Sequence, residues 1–406
     1  QRQMCIRDRY MLLAAEGYIL SRPQSGYYVT EILNSGPREA WKPGGKETDG
    51  PKIRYDFASS NVDRDSFQFD LWRRYIKSSL RQDERLLSYG EPQGERELRE
   101  AICSYLGRHR GVVCTPEHIV VGAGVQSLLH ILCPMVRDRK NAYFYNPGFR
   151  QGRTIFEDFE FRTGGMRSAR EAGGPDSGSI CYLTPSQMTV WGEVMHITER
   201  MDLLKEAFEK DILIIEDDYN SEFRYYNRPT PSLQGLAGGR GVVYLGTFSR
   251  LLLPSIRMSF MVLPPELLPV YRERSRYYNQ TSSKTEQIAL CQFIRDGHLE
   301  SQIRKARKLY TAKAKKLCED IGRIFGDRAV PHLGEAGFLV LAEIRTELTS
   351  EEIARKAAHA GIAVRAVVPE EGKRGESMNP RILLSCATVG TEHYEEAVSY
   401  THLRAH

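Results

Sequence analysis

Residues 242–264, VVYLGTFSRLLLPSIRMSFMVLP, constrain the fold more than any other stretch of the chain. Two short apolar runs, 242–245 and 258–263, are rich in β-forming residues and predict two buried strands. The segment between them contains hydroxyl side chains and two arginines, Arg250 and Arg257. Ligands of open α/β sheets bind at the carboxyl ends of strands, and guanidinium groups pair well with phosphate oxygens. The stretch therefore predicts an anion-binding loop at the edge of an α/β sheet.

Composition indicates an ordinary globular chain. Its 406 residues are 41% hydrophobic and 27% charged, with a formal net charge of +5, and at about 150 residues per domain they predict two or three domains. The basic stretches 271–276 and 304–316 lie in helical patterns, so we interpret them as solvated helix faces rather than a nucleic-acid surface. The eight cysteines form no CxxC pair, which predicts reduced thiols in a cytoplasmic protein. No apolar run is long enough to predict a membrane span.

Three stretches resemble one known family. They are GTFSRLLLPSIR at 246–257, YGEPQGERELREAICSYLGRHRGVVCTPEHIVVGAG at 89–124 and SEFRYYNRPTPSLQGL at 221–236, and each is similar to the corresponding motif of MocR-type regulators. These proteins join a GntR-type DNA-binding head to a domain like the fold-type-I pyridoxal-phosphate aminotransferases. The resemblance extends from residue 10 to about residue 398. It implies an α/β fold with a mostly parallel sheet flanked by helices, followed by a small α+β domain.

The amino-terminal region has its own resemblance. Residues 10–29 predict a helix that ends at Gly17 and a hairpin with its turn at 23–26, and they resemble the last helix and wing of a GntR-type winged helix-turn-helix. The earlier helices of such a domain are absent, so we expect the complete domain of a longer parent protein to bind DNA, and this chain alone to bind it poorly. The expected layout is a winged-helix remnant at 1–33 (with 1–9 non-native), a Pro/Gly-rich linker at 34–54, a large cofactor-binding domain at 55–285, a small domain at 286–398 and a non-native tail at 399–406.

Arg250 is the main departure from the family pattern. The family has a lysine there, whose amine forms a Schiff base with the cofactor, whereas a guanidinium stays protonated and offers no such amine. A second departure is at 187–191, QMTVW, where a ring-contacting histidine is usual. The resemblance therefore implies that pyridoxal phosphate is held without covalent attachment, and we assign no catalytic residue.

Phosphate binding is expected at the start of a helix. Gly124, Val125 and Gln126 join a predicted strand to a helix, where free backbone N–H groups meet the positive end of the helix dipole. A dinucleotide-binding loop is the alternative, but Ser127 stands in place of the third glycine that such a loop requires. The resemblance adds three phosphate contacts, from Thr247, Arg257 and, across a dimer interface, Tyr89 of the neighbouring subunit.

The resemblance also implies contacts to the cofactor ring. Phe149 would stack on the pyridine face, Asp217 would pair with the pyridine nitrogen, and Tyr219 would bind the phenolic oxygen. Residues 216–219 follow a buried apolar run, and the tip of a buried parallel strand is a sound place for a proton-holding acid; a solvated acidic loop is the alternative. Arg381 is the expected partner of a substrate carboxylate, because Leu383 stands at the family's arginine position and Arg381 shares its strand face.

Three functions are compatible with these residues. The first is a dimeric MocR-type regulator that binds pyridoxal phosphate or a related vitamer or amino compound as effector. The second is an aminotransferase acting on an amino acid, and the third is a cofactor-free dimerisation scaffold. No metal site and no membrane partner are expected.

Overall fold

The computed structural model describes residues 2–30, 51–145, 149–166, 174–189, 192–224, 230–335, 337–367 and 379–403, the side chains of 2–5 and 400–403 excepted. The chain divides into two compact units, residues 1–50 and 51–406. Most of the predicted linker at 34–54 lies outside the described residues. No helix in the described ranges is both long and apolar enough to cross a membrane.

The first unit contains one helix and one hairpin. Helix α1 (Arg2–Ala15) is followed by the antiparallel strands β1 (Ile19–Arg22) and β2 (Gly26–Val29). Gly17 has a φ of 78°, the left-handed conformation that commonly ends a helix. The helix end and the hairpin are therefore where the sequence predicted them, while the helix also includes residues that were predicted to be non-native.

The second unit contains the remaining strands and helices. The strands are β3 (Tyr55–Asp56), β4 (Ile119–Gly122), β5 (Asn141–Tyr145), β6 (Arg162–Met166), β7 (Ile180–Leu183), β8 (Leu213–Asp218), β9 (Val242–Thr247), β10 (Ser259–Val262), β11 (Ala329–Leu333), β12 (Leu339–Ile344), β13 (Ile362–Ala363), β14 (Arg365–Val367) and β15 (Arg381–Ser385). The helices are α2 (Phe69–Ser79), α3 (Asp83–Leu86), α4 (Arg96–Arg110), α5 (Val125–Leu132), α6 (Arg150–Asp158), α7 (Ile197–Glu209), α8 (Leu233–Leu236), α9 (Leu268–Ser275), α10 (Lys284–Arg295), α11 (His298–Phe325), α12 (Ser350–His359) and α13 (Tyr394–Leu403).

A seven-stranded sheet in the order β4-β10-β9-β8-β7-β5-β6 forms the centre of this unit. All strands are parallel except β10, which is antiparallel to both of its neighbours. In β8, Ile215 packs in the cluster that includes α5 and α6, whereas Ile214 packs in the cluster that includes α7. Both faces of the sheet are therefore covered by helices, which explains why β4, β7, β8 and β10 are buried along their whole length.

A second, antiparallel sheet lies toward the carboxyl terminus. Its strand order is β11-β12-β15-β14, and β13 pairs separately with β3 in parallel. The side chains of Ile382 and Leu384 belong to the large hydrophobic cluster that also includes α11, whereas Leu383 points to the opposite face. The boundary at residue 285 stays a prediction.

A buried ion pair links α4 to the tip of β8. The Arg110 Nε donates to Asp218 Oδ2 at 2.7 Å, and the Tyr244 hydroxyl donates to the same oxygen at 2.6 Å. Burial alone would raise the pKa of Asp218, but Arg110 and Tyr244 outweigh it and hold that pKa below its ordinary value. The charge of Asp218 therefore depends on Arg110, and both side chains are almost wholly buried.

Arg110→Met is expected to lower the free energy of unfolding by about 3–5 kcal/mol, because it leaves a buried carboxylate without its cation. The matched control is Arg96→Met on the same helix, where the ion pair with Glu100 is exposed and its loss should cost no more than about 0.5 kcal/mol. Urea unfolding of the two variants measures both values. Equal losses would show that the buried pair does not stabilise the sheet edge.

Candidate functional site

The ends of several strands meet at one edge of the central sheet. Ser259 at the start of β10 pairs with Gly122 at the end of β4 and with Thr247 at the end of β9. Asp218 at the end of β8 pairs with Gly246 of β9. The loop between β9 and β10 therefore lies beside the start of α5 and beside the acidic tip of β8, which is the arrangement that the sequence predicted for an anion-binding loop.

The start of α5 forms a cradle with Arg257. Gly124 has a φ of 94°, and a Cβ built on it would lie 2.5 Å from Arg257 Nη2, so only glycine allows the guanidinium to come this close. Helix α5 begins at Val125, and the N–H groups of Val125 and Gln126 have no acceptor within the helix. Backbone donors, the helix dipole and a guanidinium are thus gathered at one point, which suits a phosphate group.

Hydroxyl groups complete this half of the site. Thr247 Oγ1 accepts hydrogen bonds from the backbone N–H of Ser249 at 3.2 Å and from Ser259 Oγ at 2.8 Å. The Ser249 Oγ is buried and has no hydrogen-bond partner among the described residues. A buried hydroxyl without a partner is costly unless a ligand provides one, so Ser249 also fits a phosphate oxygen.

Asp217 forms the acidic half of the site. Its Oδ2 accepts a hydrogen bond from the Tyr182 hydroxyl at 2.6 Å, whereas its Oδ1 is buried without a partner in the described part of the chain. Burial raises the pKa of Asp217 to about 6, although Tyr182 and Arg250 act in the opposite direction. Phe149 lies next to this pair, with its ring centroid 6.1 Å from that of Tyr182. The free oxygen can accept a hydrogen bond from the N–H group of a protonated ring nitrogen, so these residues fit a pyridine ring.

Arg250 lies between two aromatic rings. Its Cζ is 5.1 Å from the centroid of Tyr219 and 5.3 Å from that of Phe338, distances typical of cation–π contacts. Burial is the main cause that lowers the pKa of Arg250, and burial also raises the pKa of Tyr219 to about 12. The Tyr219 phenol therefore keeps its proton at neutral pH and can donate a hydrogen bond.

Among the described residues, Tyr89 makes no contact with this site. Its side chain is 94% exposed, although the preceding Ser88 is anchored by Lys284, whose Nζ donates to Ser88 Oγ at 2.7 Å. An aromatic side chain exposed on an anchored segment is available to a second subunit.

The structure does not bring Arg381 to the site. Phe338, which contacts Arg250, directly precedes Leu339, and Leu339 pairs with Ser385 at the far end of β15. Arg381 is four residues from Ser385, about 13 Å along the strand, and its Nε is 3.5 Å from Glu343 Oε2. The charge of Arg365 on β14 acts on the site electrostatically, because it lowers the pKa of both Tyr219 and Arg250.

Several residues of the site were not found from the sequence. Tyr182 and Ser259 enter through strand pairing, and Arg365 through the pairing of β14 with β15, none of which can be inferred from a local pattern. In the divergent segment 187–191, the Gln187 Oε1 accepts a hydrogen bond from Asn220 Nδ2. Val190 and Trp191 lie outside the described residues.

The chain matches the family model "Aminotransferase class I and II" over residues 54–400. It is 37% identical over 377 residues to YhdI of Bacillus subtilis, an uncharacterized HTH-type transcriptional regulator, covering 90% of this chain and 80% of that protein. It is also 29% identical over 379 residues to MocR of Rhizobium meliloti, a probable rhizopine catabolism regulatory protein, covering 87% of this chain and 76% of the relative. These matches confirm the family that the sequence motifs indicated.

Solved structures share the fold. The α-aminoadipate aminotransferase LysN of Thermus thermophilus, complexed with N-(5′-phosphopyridoxyl)-L-leucine, has a TM-score of 0.71 and 22% identity, covering 86% of this chain and 91% of LysN. An aspartate aminotransferase mutant from the same species has a TM-score of 0.71 and 15% identity, covering 88% of this chain and 98% of that protein. The predicted fold-type-I aminotransferase architecture is therefore confirmed.

Asp217→Asn is expected to stabilise the ligand-free protein at high pH only. Because the folded-state pKa of Asp217 is raised from 3.8 to about 6, the penalty for charging this buried carboxyl is absent below pH 4 and complete above pH 6 or so. The variant should therefore gain about 3 kcal/mol in the free energy of unfolding at pH 8 and nothing at pH 4. Urea unfolding at both pH values measures this, with the exposed Asp158→Asn as control. A gain that is equal at both pH values would contradict the assignment.

Proposed function

Because the chain belongs to the MocR-type regulators and has their class I and II aminotransferase domain, we propose that this domain binds pyridoxal phosphate or a related vitamer reversibly, as the effector of a transcriptional regulator. When bound, pyridoxal phosphate supplies a phosphate and a protonated pyridine ring that acts as an electron sink. The residues of this chain would hold both groups without forming a bond to the aldehyde.

The observation that carries the proposal is the unpaired Oδ1 of Asp217 at the same sheet edge as the cradle of Gly124 and Arg257. The cradle, Thr247 and Ser249 would hold the phosphate, and Asp217 would accept a hydrogen bond from the protonated ring nitrogen. Tyr219 would donate to the phenolic oxygen. A phosphate site and a buried acceptor on one edge together favour a phosphorylated nitrogen heterocycle over a simple anion.

Reversibility follows from Arg250. If this residue stands at the family's lysine position, the site has no amine that can condense with an aldehyde, because a guanidinium remains protonated at neutral pH. Binding would then follow the ligand concentration, which suits a sensor better than an aminotransferase. An active aminotransferase would need a different amine in the site, and a cofactor-free scaffold would show no binding.

Dimerisation and DNA binding complete the proposal. The exposed Tyr89 would reach the phosphate of the neighbouring subunit in a homodimer. Helix α1 with the hairpin of β1 and β2 would form the end of a winged helix-turn-helix, and the complete domain of a longer parent protein would bind DNA. A regulator of this kind would act in the cytoplasm.

Arg257→Ala is expected to weaken the binding of pyridoxal phosphate by about 10-fold to 100-fold. A hydrogen bond to a charged group contributes about 1.5–3 kcal/mol, and each 1.4 kcal/mol corresponds to about a tenfold change in affinity. Isothermal titration calorimetry measures the change, with the exposed Arg272→Ala as the control that should leave binding unaltered. If pyridoxal phosphate does not bind to the unmutated protein, the cofactor-free scaffold is favoured instead.

A further inference from the structure

Two cysteine thiols contact each other outside the ligand site. Cys103 Sγ and Cys114 Sγ are 3.7 Å apart, and the Cys103 thiol also donates a hydrogen bond to the backbone oxygen of Cys114 at 3.2 Å. The other cysteines whose side chains the structure describes are Cys133, Cys181, Cys291, Cys318 and Cys386. Among these, no two thiols lie within hydrogen-bonding distance of each other. The contact therefore distinguishes Cys103 and Cys114 from the rest.

The end of α4 brings the two cysteines together. Cys103 lies seven residues before Arg110, the last residue of the helix, which is about 10 Å along the helix axis. Gly111 follows with a φ of 65° and turns the chain back along the helix. Cys114 comes three residues after Gly111, and three residues of extended chain also span about 10 Å. The lengths of the two arms therefore match, and the thiols meet.

Two hydrogen bonds hold the returning segment in place. The Val113 N–H donates to Gln234 Oε1 at 2.8 Å, and Gln234 Nε2 donates to the backbone oxygen of Val113 at 2.7 Å. Gln234 belongs to α8, so the residue next to Cys114 is fixed by a separate part of the chain. The fold thus keeps one thiol beside the other, which gives a reaction between them a high effective concentration.

Both thiols can also be reached by a small reagent. Cys103 and Cys114 are partly exposed, whereas Cys133, Cys181, Cys291 and Cys386 are buried. The sulfurs of a disulfide are about 2.0 Å apart, so the two thiols must approach by about 1.7 Å, a movement that rotation of both side chains can supply. Cys318 is partly exposed as well but has no thiol in contact among the described residues, which makes it an internal control.

We propose that Cys103 and Cys114 form a site of reversible oxidation, at which a small disulfide such as oxidised glutathione converts the two thiols into an intrachain disulfide. The bond links α4 to the segment that leads into β4. In a reducing cytoplasm the pair is present as thiols, and disulfides in that compartment are usually transient. Neither cysteine belongs to the ligand site, so the disulfide forms whether or not pyridoxal phosphate binds.

The reaction is a thiol–disulfide exchange in two steps. Burial, and secondarily the neighbouring Cys103 thiol, raises the pKa of Cys114 well above its ordinary value. Cys114 therefore stays protonated at neutral pH, and Cys103 is the thiol that attacks first.

The atoms and electrons of this exchange balance. The Cys103 thiolate attacks one sulfur of the small disulfide RSSR, forms a mixed disulfide and releases RS⁻. Cys114 gives its proton to this RS⁻ and attacks the sulfur of Cys103, which releases the second RS⁻. That second thiolate takes up the proton that Cys103 lost. Two protein thiols are thus oxidised while one small disulfide is reduced to two thiols.

Peptide mapping without reduction tests the site. The unmutated protein is incubated with oxidised glutathione, its remaining thiols are alkylated in denaturant, and it is digested with trypsin. Cleavage after Arg108 and Arg110 separates the two cysteines, so the disulfide joins peptide 100–108 to peptide 111–137. We expect this linked pair to replace the greater part of both free peptides and to be lost after treatment with dithiothreitol.

Two internal checks belong to the same map. Peptide 111–137 contains Cys133 as well as Cys114, and fragmentation of the linked pair shows which of them carries the bond; we expect Cys114. Cys318 should be recovered in its alkylated form, because no thiol lies beside it to complete the exchange.

Cys114→Ser and Cys318→Ser are matched variants. Cys114→Ser should lose the linked pair and retain one glutathione on Cys103, since no second thiol resolves the mixed disulfide. Cys318→Ser should give the linked pair in the same yield as the unmutated protein. Urea unfolding of the reduced variants verifies that the fold is intact.

Three outcomes would contradict the proposal. If both peptides stay separate and alkylated in the folded protein, the thiol pair is not a site of oxidation. If glutathione remains on Cys103 of the unmutated protein without a disulfide, Cys114 does not act as the second thiol. If the linked pair forms only after the protein has been unfolded in urea, the contact in the folded chain does not select these cysteines.

Discussion

The insertion of one antiparallel strand, β10, between β4 and β9 is the constraint on which the site depends. Through this strand, Ser259 is in register with both Gly122 and Thr247, so the start of α5 and the loop that follows β9 end up side by side. The next pairing, of β9 with β8, adds the acidic tip with Asp217. Backbone hydrogen bonds thus bring together residues that lie about 130 positions apart in the sequence, as in other ligand sites at the carboxyl ends of sheet strands.

Charged residues at this edge have two kinds of partner. Arg110 forms a buried ion pair with Asp218 Oδ2, although Asp218 Oδ1 has no partner among the described residues. In the site itself, Asp217 retains a free oxygen among the described residues, and Arg250 contacts the rings of Tyr219 and Phe338. Buried polar groups without partners are unfavourable for folding alone. The free oxygen of Asp217 and the free hydroxyl of Ser249 are consistent with a ligand that has an N–H donor and a phosphate.

The sequence predicted local features well and long-range ones poorly. Leu98, Ile102 and Leu106 recur every four residues, a spacing that predicts one apolar face of a helix, and on α4 all three are almost fully buried. Strand β8 was predicted as a buried strand with acids at its tip; it extends through Asp218, whose charge Arg110 neutralises from 108 residues away. Hydrophobic patterning cannot anticipate such a partner. The strand face of Arg381 could be predicted from the alternation of side chains along β15. Which end of β15 lies near the site could not, because that depends on its pairing with β12.

The central claim is that a guanidinium at position 250 leaves pyridoxal phosphate bound but not attached, and peptide mapping by mass spectrometry after borohydride reduction tests it most directly. The account predicts that the parent protein incubated with pyridoxal phosphate shows no modified peptide within residues 247–257, while Arg250→Lys acquires one reduced cofactor at residue 250, since a lysine amine can condense with the aldehyde. If the unmutated protein acquires a reduced adduct on any side chain of the site, in proportion to the cofactor that it binds, the account is contradicted.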